Sequence, residues 1–255
     1  MKLLNPVFPS PAEYLAADEV LLDRCEAGGG DETLLFWEPS ETFVVVGYAN
    51  KVATEVNIAA CEARGISIFR RCSGGGTVVQ MPGGLNYSLI LRITETGPTR
   101  NITAANQFIM EKNRCALEMV GRVTPCAPGG GQRTARPTVN VRGHTDLCLD
   151  DLKFAGNSQR RRKNFLLFHG TLLLNCDLAV ISDLLRMPSL QPDYRASRPH
   201  SDFVTNLNLP AEKVKSALAK AWNATEELEN PPLAEIKKLA REKYSAREWN
   251  YKFSR

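Results

Sequence analysis

A glycine-rich segment near position 70 holds the first residues that could do chemistry. It contains, in order, Arg70, Arg71, Ser73, Gly74, Gly75 and Gly76. Glycine loses more backbone entropy on folding than any other residue, so three in a row indicate a positive φ or a close approach of another group. Backbone N–H groups beside two guanidinium groups can hold a carboxylate or a phosphate. The simpler alternative is a β-hairpin with a glycine-rich turn.

Two common phosphate-binding loops do not fit this segment. A Walker A loop requires Lys and then Ser or Thr after its last glycine, whereas Gly76 is followed by Thr77 and Val78. A dinucleotide-binding fingerprint requires glycines that open a helix, and here the glycines open a β-branched run. The sequence therefore excludes both of these loops.

A second group of candidate residues follows in the later half of the chain. It contains Lys153, Gly156, Asn157, His169, Gly170 and Thr171. A lysine at the end of a strand supplies a mobile point charge for phosphate or carbonyl oxygens, and an exposed surface lysine is the alternative. Asn157 and Gln159 share one face of a predicted strand. His169 lies in an apolar strand and, taken alone, is better explained as a hydrogen-bonded core residue.

Three motifs occur in one order: Arg-Arg-x-Ser-Gly-Gly-Gly, Lys-x-x-Gly-Asn-x-Gln and His-Gly-Thr-Leu-Leu. In this order they resemble the lipoate–protein ligase A family, which is grouped with the biotin ligases and the octanoyltransferases. Residues 204–207 and 243–250 also resemble family segments. The resemblance spans most of the chain. It implies an α+β (mixed α/β) catalytic domain with a central mixed or antiparallel sheet flanked by helices.

The resemblance also implies an activity. Such ligases activate lipoate, or a related acid such as octanoate, with ATP and Mg²⁺ as an acyl-adenylate, and pass the acyl group to a carrier lysine. The reaction requires that charge on the phosphoryl and carbonyl oxygens is neutralised and that water is kept from the mixed anhydride. The expected partner is a lipoyl-carrier domain of the 2-oxoacid dehydrogenase or glycine cleavage type.

Residue roles follow from the same resemblance. Lys153 occupies the position of the family's catalytic lysine. The expected acyl- and adenylate-binding residues are Arg70, Arg71, Ser73, Gly74, Gly75, Gly76, Asn86, Gly156, Asn157, His169, Gly170, Thr171, Arg195 and Arg198. Residues 191–202 match a family segment that folds over the adenylate. We expect residues 189–202 to be mobile without ligand and ordered over the adenylate. The motifs assign no metal ligands.

The chain departs from the usual ligase at two places. Gln80 stands where the usual ligase has His, which puts that polar contact in doubt. Only about fifty residues follow position 207, so the family's C-terminal accessory domain is not expected. We therefore expect one catalytic domain over residues 1–255, with a helical extension at about 210–255, and a separate accessory subunit remains open.

Two other functions remain open. Octanoyltransferase relatives use a nucleophilic cysteine, which would fall near Thr138 in one branch and near Ser189 in another. Neither position is Cys, and Cys148 and Cys176 lie in strand-like runs typical of buried residues. This favours ATP-dependent activation over an acyl-carrier-dependent transferase. The third alternative is a module that binds an acyl-adenylate or a carrier without turnover.

The composition limits partners and location. The chain has 43% hydrophobic and 24% charged residues and a net charge of +4, which fits an ordinary globular protein. Its apolar runs are too short to span a membrane, and no signal-peptide core follows the N-terminus, so we expect a cytoplasmic protein. The seven cysteines contain no Cys-x-x-Cys pair. The basic run at 160–163 lacks interleaved aromatic residues, so a solvated hairpin tip is favoured over nucleic-acid binding.

Periodicity and turn residues predict the elements that position these residues. A capping-box pattern at Ser10 predicts a helix from Pro11 to about Ala27, with a packing role only. Further helices are predicted at 56–64, 101–121, 178–186, 211–222 and 233–244. Strands are predicted at 34–38, 43–47, 85–92, 139–150, 153–161 and 165–174.

Three connecting regions complete the prediction. The first two predicted strands form a hairpin in which Phe36, Trp37 and Val45 could contact an acyl chain, although core packing is the preferred role. A turn is predicted at 150–151. Residues 124–137 are predicted as a mobile surface loop and residues 189–203 as a polar loop.

Overall fold

A large mixed sheet forms the centre of this computed structural model, which describes residues 1–122 and 138–253. The described strands are β1 (Lys2–Leu4), β2 (Thr33–Trp37), β3 (Phe43–Val46), β4 (Ile68–Arg70), β5 (Val78–Gln80), β6 (Gly84–Arg92), β7 (Val139–Arg142), β8 (Asp146–Leu149), β9 (Leu152–Arg161), β10 (Phe165–Leu173) and β11 (Glu226–Glu227). Eight of them form the large sheet in the order β11-β1-β2-β6-β10-β9-β8-β7, and β4-β3-β5 form a second sheet. The predicted fold class, α+β with a mixed sheet flanked by helices, is confirmed.

Helices cover both faces of the large sheet. They are α1 (Pro11–Glu26), α2 (Val52–Glu55), α3 (Ile58–Ala63), α4 (Ile102–Arg122), α5 (Ala179–Leu184), α6 (His200–Phe203), α7 (Ala211–Trp222), α8 (Leu233–Leu239) and α9 (Arg247–Asn250). A 3₁₀ turn at Asp193–Arg195 and a π-helical turn at Ala240–Tyr244 complete the described helical elements. None of these helices is both long and apolar enough to cross a membrane.

Alternation of side chains along the strands separates the core into layers. In β2, Leu34 and Phe36 pack on one face, and Leu35 and Trp37 pack on the other, as the two-residue period of a strand requires. Helices α4 and α7 cover the first face, and α1 and α8 cover the second. The small sheet packs with α2, α3 and α5 in a third apolar cluster.

Helix α1 has the predicted boundaries but not the predicted cap. Pro11 lies in its first turn, and Gly28, which follows its end, has a φ of 82°, a conformation that glycine adopts without strain. Ser10 is the N-cap residue, yet its side chain makes no capping hydrogen bond. Buried apolar residues such as Leu15 and Leu22 hold the helix against the sheet instead.

Three predicted segments differ in the structure. The predicted helix at 56–64 begins two residues later, at Ile58, because Asn57 caps α3 by accepting a hydrogen bond from the Ala60 N–H at 3.3 Å. The predicted strand at 139–150 consists of β7 and β8, joined by a turn in which Gly143 has a φ of 53°. The predicted loop at 189–203 contains the 3₁₀ turn and α6. The predicted loop at 124–137 lies outside the described residues.

The basic run at the end of β9 is not the solvated tip that the sequence predicted. Arg160, Arg161 and Arg162 each donate hydrogen bonds to a different part of the chain. Their acceptors are the Cys72 carbonyl at 2.9 Å, the Thr99 carbonyl at 2.9 Å and the Asp23 carboxylate at 2.7 Å, respectively. These arginines therefore fix β9 against its neighbours, and only Lys163 of the run is exposed.

Candidate active site

A cavity of about 800 Å³ opens on the α1 side of the large sheet. This volume is in the range of small-molecule sites. Many of the predicted site residues line it, namely Arg71, Gly75, Gly76, Asn86, Lys153, Gly156, Asn157, His169, Gly170, Thr171 and Arg195. Four others do not line it, namely Arg70, Ser73, Gly74 and Arg198.

Two cross-strand rows of side chains border the cavity floor. The pairing of β9, β10, β6 and β2 aligns one row, which consists of Gly156, Thr171, Asn86 and Trp37. The neighbouring row consists of Ser158, His169, Ser88 and Leu35. Because alternate residues of a strand point to the same face, motifs that lie far apart in the sequence meet on one surface.

A β-bulge explains the spacing between Lys153 and Gly156. Residues three apart in a regular strand point to opposite faces. Here the pairing of β9 with β8 skips Phe154, and this extra residue turns Lys153 to the face that carries Gly156. A Cβ on Gly156 would lie 2.9 Å from the Lys153 Nζ. Glycine at this position therefore leaves room for the ammonium group.

One carboxylate connects Lys153 to the far wall of the cavity. The Lys153 Nζ lies 2.8 Å from Asp146 Oδ1, and Tyr194 donates its hydroxyl proton to Asp146 Oδ2 at 2.7 Å. Burial, followed by the negative charge of Asp146, raises the pKa of Tyr194 above its usual value, so Tyr194 remains a donor at neutral pH. Asp146 thus links the lysine to the segment that contains the 3₁₀ turn.

The glycine turn is held by its carbonyl groups. Arg71 Nη2 donates to the carbonyls of Gly74 at 2.7 Å and Gly76 at 2.6 Å, and Ser158 Oγ donates to the Gly74 carbonyl at 2.9 Å. Gly75 has a φ of 83°, which favours glycine. The N–H groups of these three glycines donate to no acceptor among the residues described. The turn therefore offers free N–H donors of the kind that bind anions.

A chain of hydrogen bonds runs from Arg71 to a carboxylate of α1. Arg71 Nε lies 3.1 Å from Ser73 Oγ, Ser73 Oγ lies 2.6 Å from His169 Nε2, and His169 Nδ1 lies 2.6 Å from Asp18 Oδ2. The order Ser–His–Asp is that of a hydrolase triad. Ser73, however, is 1% exposed and does not line the cavity, so its hydroxyl is not placed to attack a substrate. The packing role predicted for α1 was incomplete, because α1 supplies Asp18 to this chain.

Arg70 does not line the cavity, which argues against its predicted binding role. Its side chain is 0% exposed. All of its guanidinium nitrogens donate to backbone carbonyls, which belong to Gly47, Tyr48, Asn50, Trp249 and Asn250. Arg70 therefore ties the start of the glycine segment to the C-terminal helix α9.

The Asn157 side chain also points away from the cavity, because it lies on the α4 face of the sheet. Tyr87 donates to its Oδ1 at 2.6 Å, and its Nδ2 donates to the Thr145 carbonyl at 2.7 Å. A Cβ on Gly170 would overlap Asn157 Oδ1 and would lie 2.6 Å from its Cγ. Gly170 therefore accommodates the Asn157 amide, whereas the sequence analysis placed it among the acyl- and adenylate-binding residues.

The two arginines of the 189–203 segment hold that segment together. Arg195 is 4% exposed, and its Nε donates to the Arg198 carbonyl at 3.0 Å. Arg198 Nη2 donates to the Tyr194 carbonyl at 3.0 Å and to the Asp151 carbonyl at 3.1 Å. Both guanidinium groups lie over the Phe203 ring, at 4.6 and 5.3 Å. Of these two arginines, only Arg195 lines the cavity.

Apolar side chains line one part of the cavity. They are Leu15, Trp37, Val45 and Val78. Trp37 and Val45 are buried in the core, which is the role that the sequence analysis preferred, and they also border this part of the cavity. Phe36, the third residue of that expectation, packs on the opposite face of the sheet.

A cluster of amides and a hydroxyl lies beside these apolar residues. Gln80 Nε2 donates to Asn86 Oδ1 and to Thr171 Oγ1, both at 2.8 Å, and Asn86 Nδ2 donates back to Gln80 Oε1 at 2.8 Å. The resemblance predicts His at the position of Gln80. An amide cannot titrate near neutral pH, so this part of the cavity stays uncharged.

None of the described cysteines has the properties of an acyl-accepting nucleophile. Such a thiol needs a lowered pKa and access to the substrate. Burial raises the pKa of Cys72 and Cys176 to about 11 and also raises the pKa of Cys148. No described cysteine lines the cavity, and Cys126 lies outside the described residues. Thr138 and Ser189, the family nucleophile positions, are exposed and lie outside the cavity lining.

Asp18, Asp146 and Tyr194 belong to the site but were not among the residues predicted from the sequence. Asp18 had a detectable signal, because it and Glu19 are acidic residues within the apolar face of a predicted helix. The partner residues of Asp146 and Tyr194 lie on different elements, and no motif marks them. Among the described residues, no group of three His, Cys, Asp or Glu side chains could hold a metal ion.

Comparison with known proteins finds a matching family model and similar proteins. Residues 10–223 match the family model described as "Lipoyl protein ligase A/B catalytic domain". The chain is 27% identical to Octanoyltransferase LipM of Geobacillus kaustophilus over 98% of both chains.

Two solved structures are also similar. A bi-partite lipoate protein ligase from Thermoplasma acidophilum, described with its E2 lipoyl domain, has a TM-score of 0.78 and 22% identity, over 100% of this chain and 97% of that one. A lipoate-protein ligase A bound with ATP has a TM-score of 0.75 and 25% identity over 98% of both chains.

Proposed function

This chain belongs to the lipoyl protein ligase A/B catalytic domain family, and from that premise we propose an ATP-dependent acyl ligase. In this proposal the protein activates lipoate or octanoate as an acyl-adenylate and transfers the acyl group to a lysine of a carrier domain. Lys153 is the catalytic residue, because its ammonium can neutralise charge on the phosphoryl and carbonyl oxygens of the transition state.

One observation carries the proposal: Gly75 and Gly76, whose N–H groups have no acceptor among the described residues, line the same cavity as Lys153, and this cavity also has an apolar part. An acyl-adenylate has the matching chemistry, with an apolar chain, a reactive carbonyl and an anionic phosphate. The Lys153 ammonium is paired with Asp146 at 2.8 Å. In the proposed mechanism the substrate oxygens share or replace this carboxylate.

The second candidate is an octanoyltransferase that takes its acyl group from a carrier thioester. The octanoyltransferase LipM relative favours it, since it aligns along almost the whole chain. The raised pKa values of Cys72, Cys148 and Cys176 weigh against it, because a thioester relay requires a reactive thiolate. The solved ligase bound with ATP supports the ligase proposal. A non-catalytic binding module is the third candidate.

Mg²⁺ fits this site as a companion of ATP. The ion is commonly held by one or two carboxylates together with substrate phosphates. Asp146 is the carboxylate beside Lys153, so it would supply the protein ligand. When bound, the ion would neutralise charge on the phosphates.

The proposed acceptor is a lysine of a lipoyl-carrier domain of the 2-oxoacid dehydrogenase or glycine cleavage type, in the cytoplasm. The solved bi-partite ligase was studied with its E2 lipoyl domain, and this supports both a lipoyl acceptor and a separate accessory subunit. The cavity must then admit the acceptor lysine from the protein surface.

A two-donor assay tests the proposal. One lipoyl domain is incubated with the chain and either octanoate, ATP and Mg²⁺, or octanoyl-acyl carrier protein, and its mass is measured. A mass gain with the free acid and ATP is expected. A mass gain only with the thioester donor would establish the transferase. If the lipoyl domain gained mass with neither donor, the non-catalytic binding module would be the remaining candidate.

A further inference from the structure

With Asp18 ionised and the His169 ring neutral, the hydrogen-bond chain from Arg71 to Asp18 has one direction. Arg71 offers only N–H donors, and an ionised carboxylate offers only acceptors. His169 must therefore donate from Nδ1 to Asp18 across 2.6 Å, which leaves Nε2 of the neutral ring as an acceptor. Ser73 then donates its single hydroxyl proton to Nε2 across 2.6 Å and accepts from Arg71.

Packing alone does not explain the buried carboxylate of Asp18. Its side chain is 4% exposed, and its Oδ1 has no hydrogen-bond partner in the described part of the chain. Burying a carboxylate without filling both oxygens is unfavourable. The adjacent Glu19 differs, because Lys243 and Tyr244 donate to its Oε2 at 2.6 and 2.8 Å, and Arg160 Nη1 lies 3.3 Å from its Oε1. Asp18 lines the cavity, whereas Glu19 does not.

We propose that Asp18 is a positioning residue for the acyl-transfer site. It fixes His169 as the Nδ1–H tautomer, and through Ser73 it fixes the position of Arg71. Arg71 in turn holds the Gly74 and Gly76 carbonyls at 2.7 and 2.6 Å. Asp18 therefore keeps the glycine turn in the form that offers its N–H groups to the substrate. The nature of that substrate rests on the proposed function, but the tautomer does not.

With asparagine at position 18, the tautomer of His169 would no longer be fixed. Its amide can present an N–H to His169, so the ring could carry its proton on Nε2 instead of Nδ1. Ser73 Oγ would then face two donors, His169 Nε2–H and Arg71 Nε–H, and would lose the acceptor for its own proton. Arg71 would shift, and the carbonyls that it holds would shift with it.

The first test needs neither a variant nor a substrate. Two-bond ¹H–¹⁵N correlation spectra of the wild-type protein at mildly alkaline pH report which nitrogen of His169 carries the proton. The Nδ1–H tautomer is expected. A ring protonated on Nε2 would overturn the proposal.

The second test compares Asp18→Asn with Glu19→Gln, a matched change of the neighbouring buried carboxylate. Octanoyl-adenylate is the donor and a lipoyl domain the acceptor, and the dissociation constant, KM and kcat are measured at a temperature where both variants are folded. For Asp18→Asn we expect a roughly 100-fold lower kcat/KM, as small misplacements of a site can cause, with weaker octanoyl-adenylate binding and an altered tautomer of His169. Glu19→Gln should resemble the wild type in kcat/KM, in octanoyl-adenylate affinity and in the tautomer of His169.

The outcomes separate this proposal from the proposed function. Wild-type affinity and tautomer in Asp18→Asn, or an equal loss of kcat/KM in both variants, would overturn the positioning role. If the wild type transfers acyl groups from no donor, the proposed function fails. The tautomer and the octanoyl-adenylate affinity would still decide the role of Asp18.

Discussion

Each glycine of the Lys-x-x-Gly and His-Gly motifs accommodates a different side chain. Gly156 leaves room for the Lys153 ammonium on the cavity face, and Gly170 leaves room for the Asn157 amide on the opposite face. The motifs located both positions from sequence alone. They could not distinguish the two roles, because each depends on a neighbour that only the bulge and the strand register bring into contact.

Lys153→Ala is expected to abolish acyl transfer and to leave the fold intact. Removing a preorganised charge at the reacting oxygens should lower kcat by about 100-fold or more. The measurement is the rate at which the lipoyl domain gains mass, with circular dichroism to confirm folding. Lys163→Ala is the control, because Lys163 is exposed, and near-normal turnover by folded Lys153→Ala would remove Lys153 from the mechanism.

Gly170→Ala is expected to destabilise the protein by about 1–3 kcal/mol, the usual effect of overpacking. The new methyl group would overlap Asn157 Oδ1 and would lie 2.9 Å from the carbonyl oxygen of Gly156. Urea unfolding measures the loss. Gly74→Ala provides the comparison, since no atom lies within 4 Å of its added Cβ, and equal stability of the two variants would contradict the clash.

At the scale of elements, local patterns located most helices and strands. Helix α7 at Ala211–Trp222 has the predicted bounds, because its apolar period is regular and its ends are marked. The bulge at Phe154 and the partner of Asp18 were not predictable. Both depend on which strand or helix lies alongside, and a single sequence does not contain that information.

Helix α1 is joined to the C-terminal helices by Glu19, and this contact should make stability depend on pH. Burial raises the pKa of Glu19, but hydrogen bonds from Lys243 and Tyr244, together with the positive charges of Lys243 and Arg160, outweigh it and lower the pKa below its ordinary value of 4.5. A lowered pKa in the folded state favours folding while the carboxylate is ionised. The contribution of ionised Glu19 to stability is complete at a pH above its ordinary pKa. It disappears as the pH falls through the lower pKa that Glu19 has in the folded state.

We therefore expect Glu19→Gln to be less stable than the wild type at neutral pH. Below pH 4.5, the ordinary pKa of Glu19, the stabilities of the two proteins should approach each other. Urea unfolding of both proteins across this range measures the difference. A stability difference that stays constant with pH would show that the ionised form of Glu19 is not the stabilising one.

At the scale of the molecule, the C-terminal segment and the small sheet are held together by Arg70. Its guanidinium reaches carbonyls before α2 and within α9, and Asn250 Oδ1 accepts from its backbone N–H at 2.9 Å. In the sequence, Arg70 is a basic residue beside a glycine turn, and a binding role was therefore predicted for it. Its actual partners come from two distant segments, so only the folded chain identifies them.

Arg70→Lys should destabilise the fold by about 3 kcal/mol or more, because a lysine cannot serve all of these buried carbonyls and each unsatisfied group is unfavourable by 1–3 kcal/mol. The folded fraction should keep its affinity for octanoyl-adenylate, because Arg70 does not line the cavity. Arg241→Lys is the matched control, with a side chain that is 79% exposed. If Arg70→Lys lost affinity for octanoyl-adenylate without losing stability, the binding role predicted for Arg70 would be supported instead.

The contact between Gly170 and Asn157 has a consequence for how this family can diverge. A side chain at position 170 fits only if the amide at position 157 becomes smaller or turns away, so neither change is tolerated well before the other. The two positions should therefore vary together across relatives, with alanine at the first accompanied by a small residue at the second. An alignment in which they vary independently would mean that the strands separate enough in those relatives to absorb the extra methyl group.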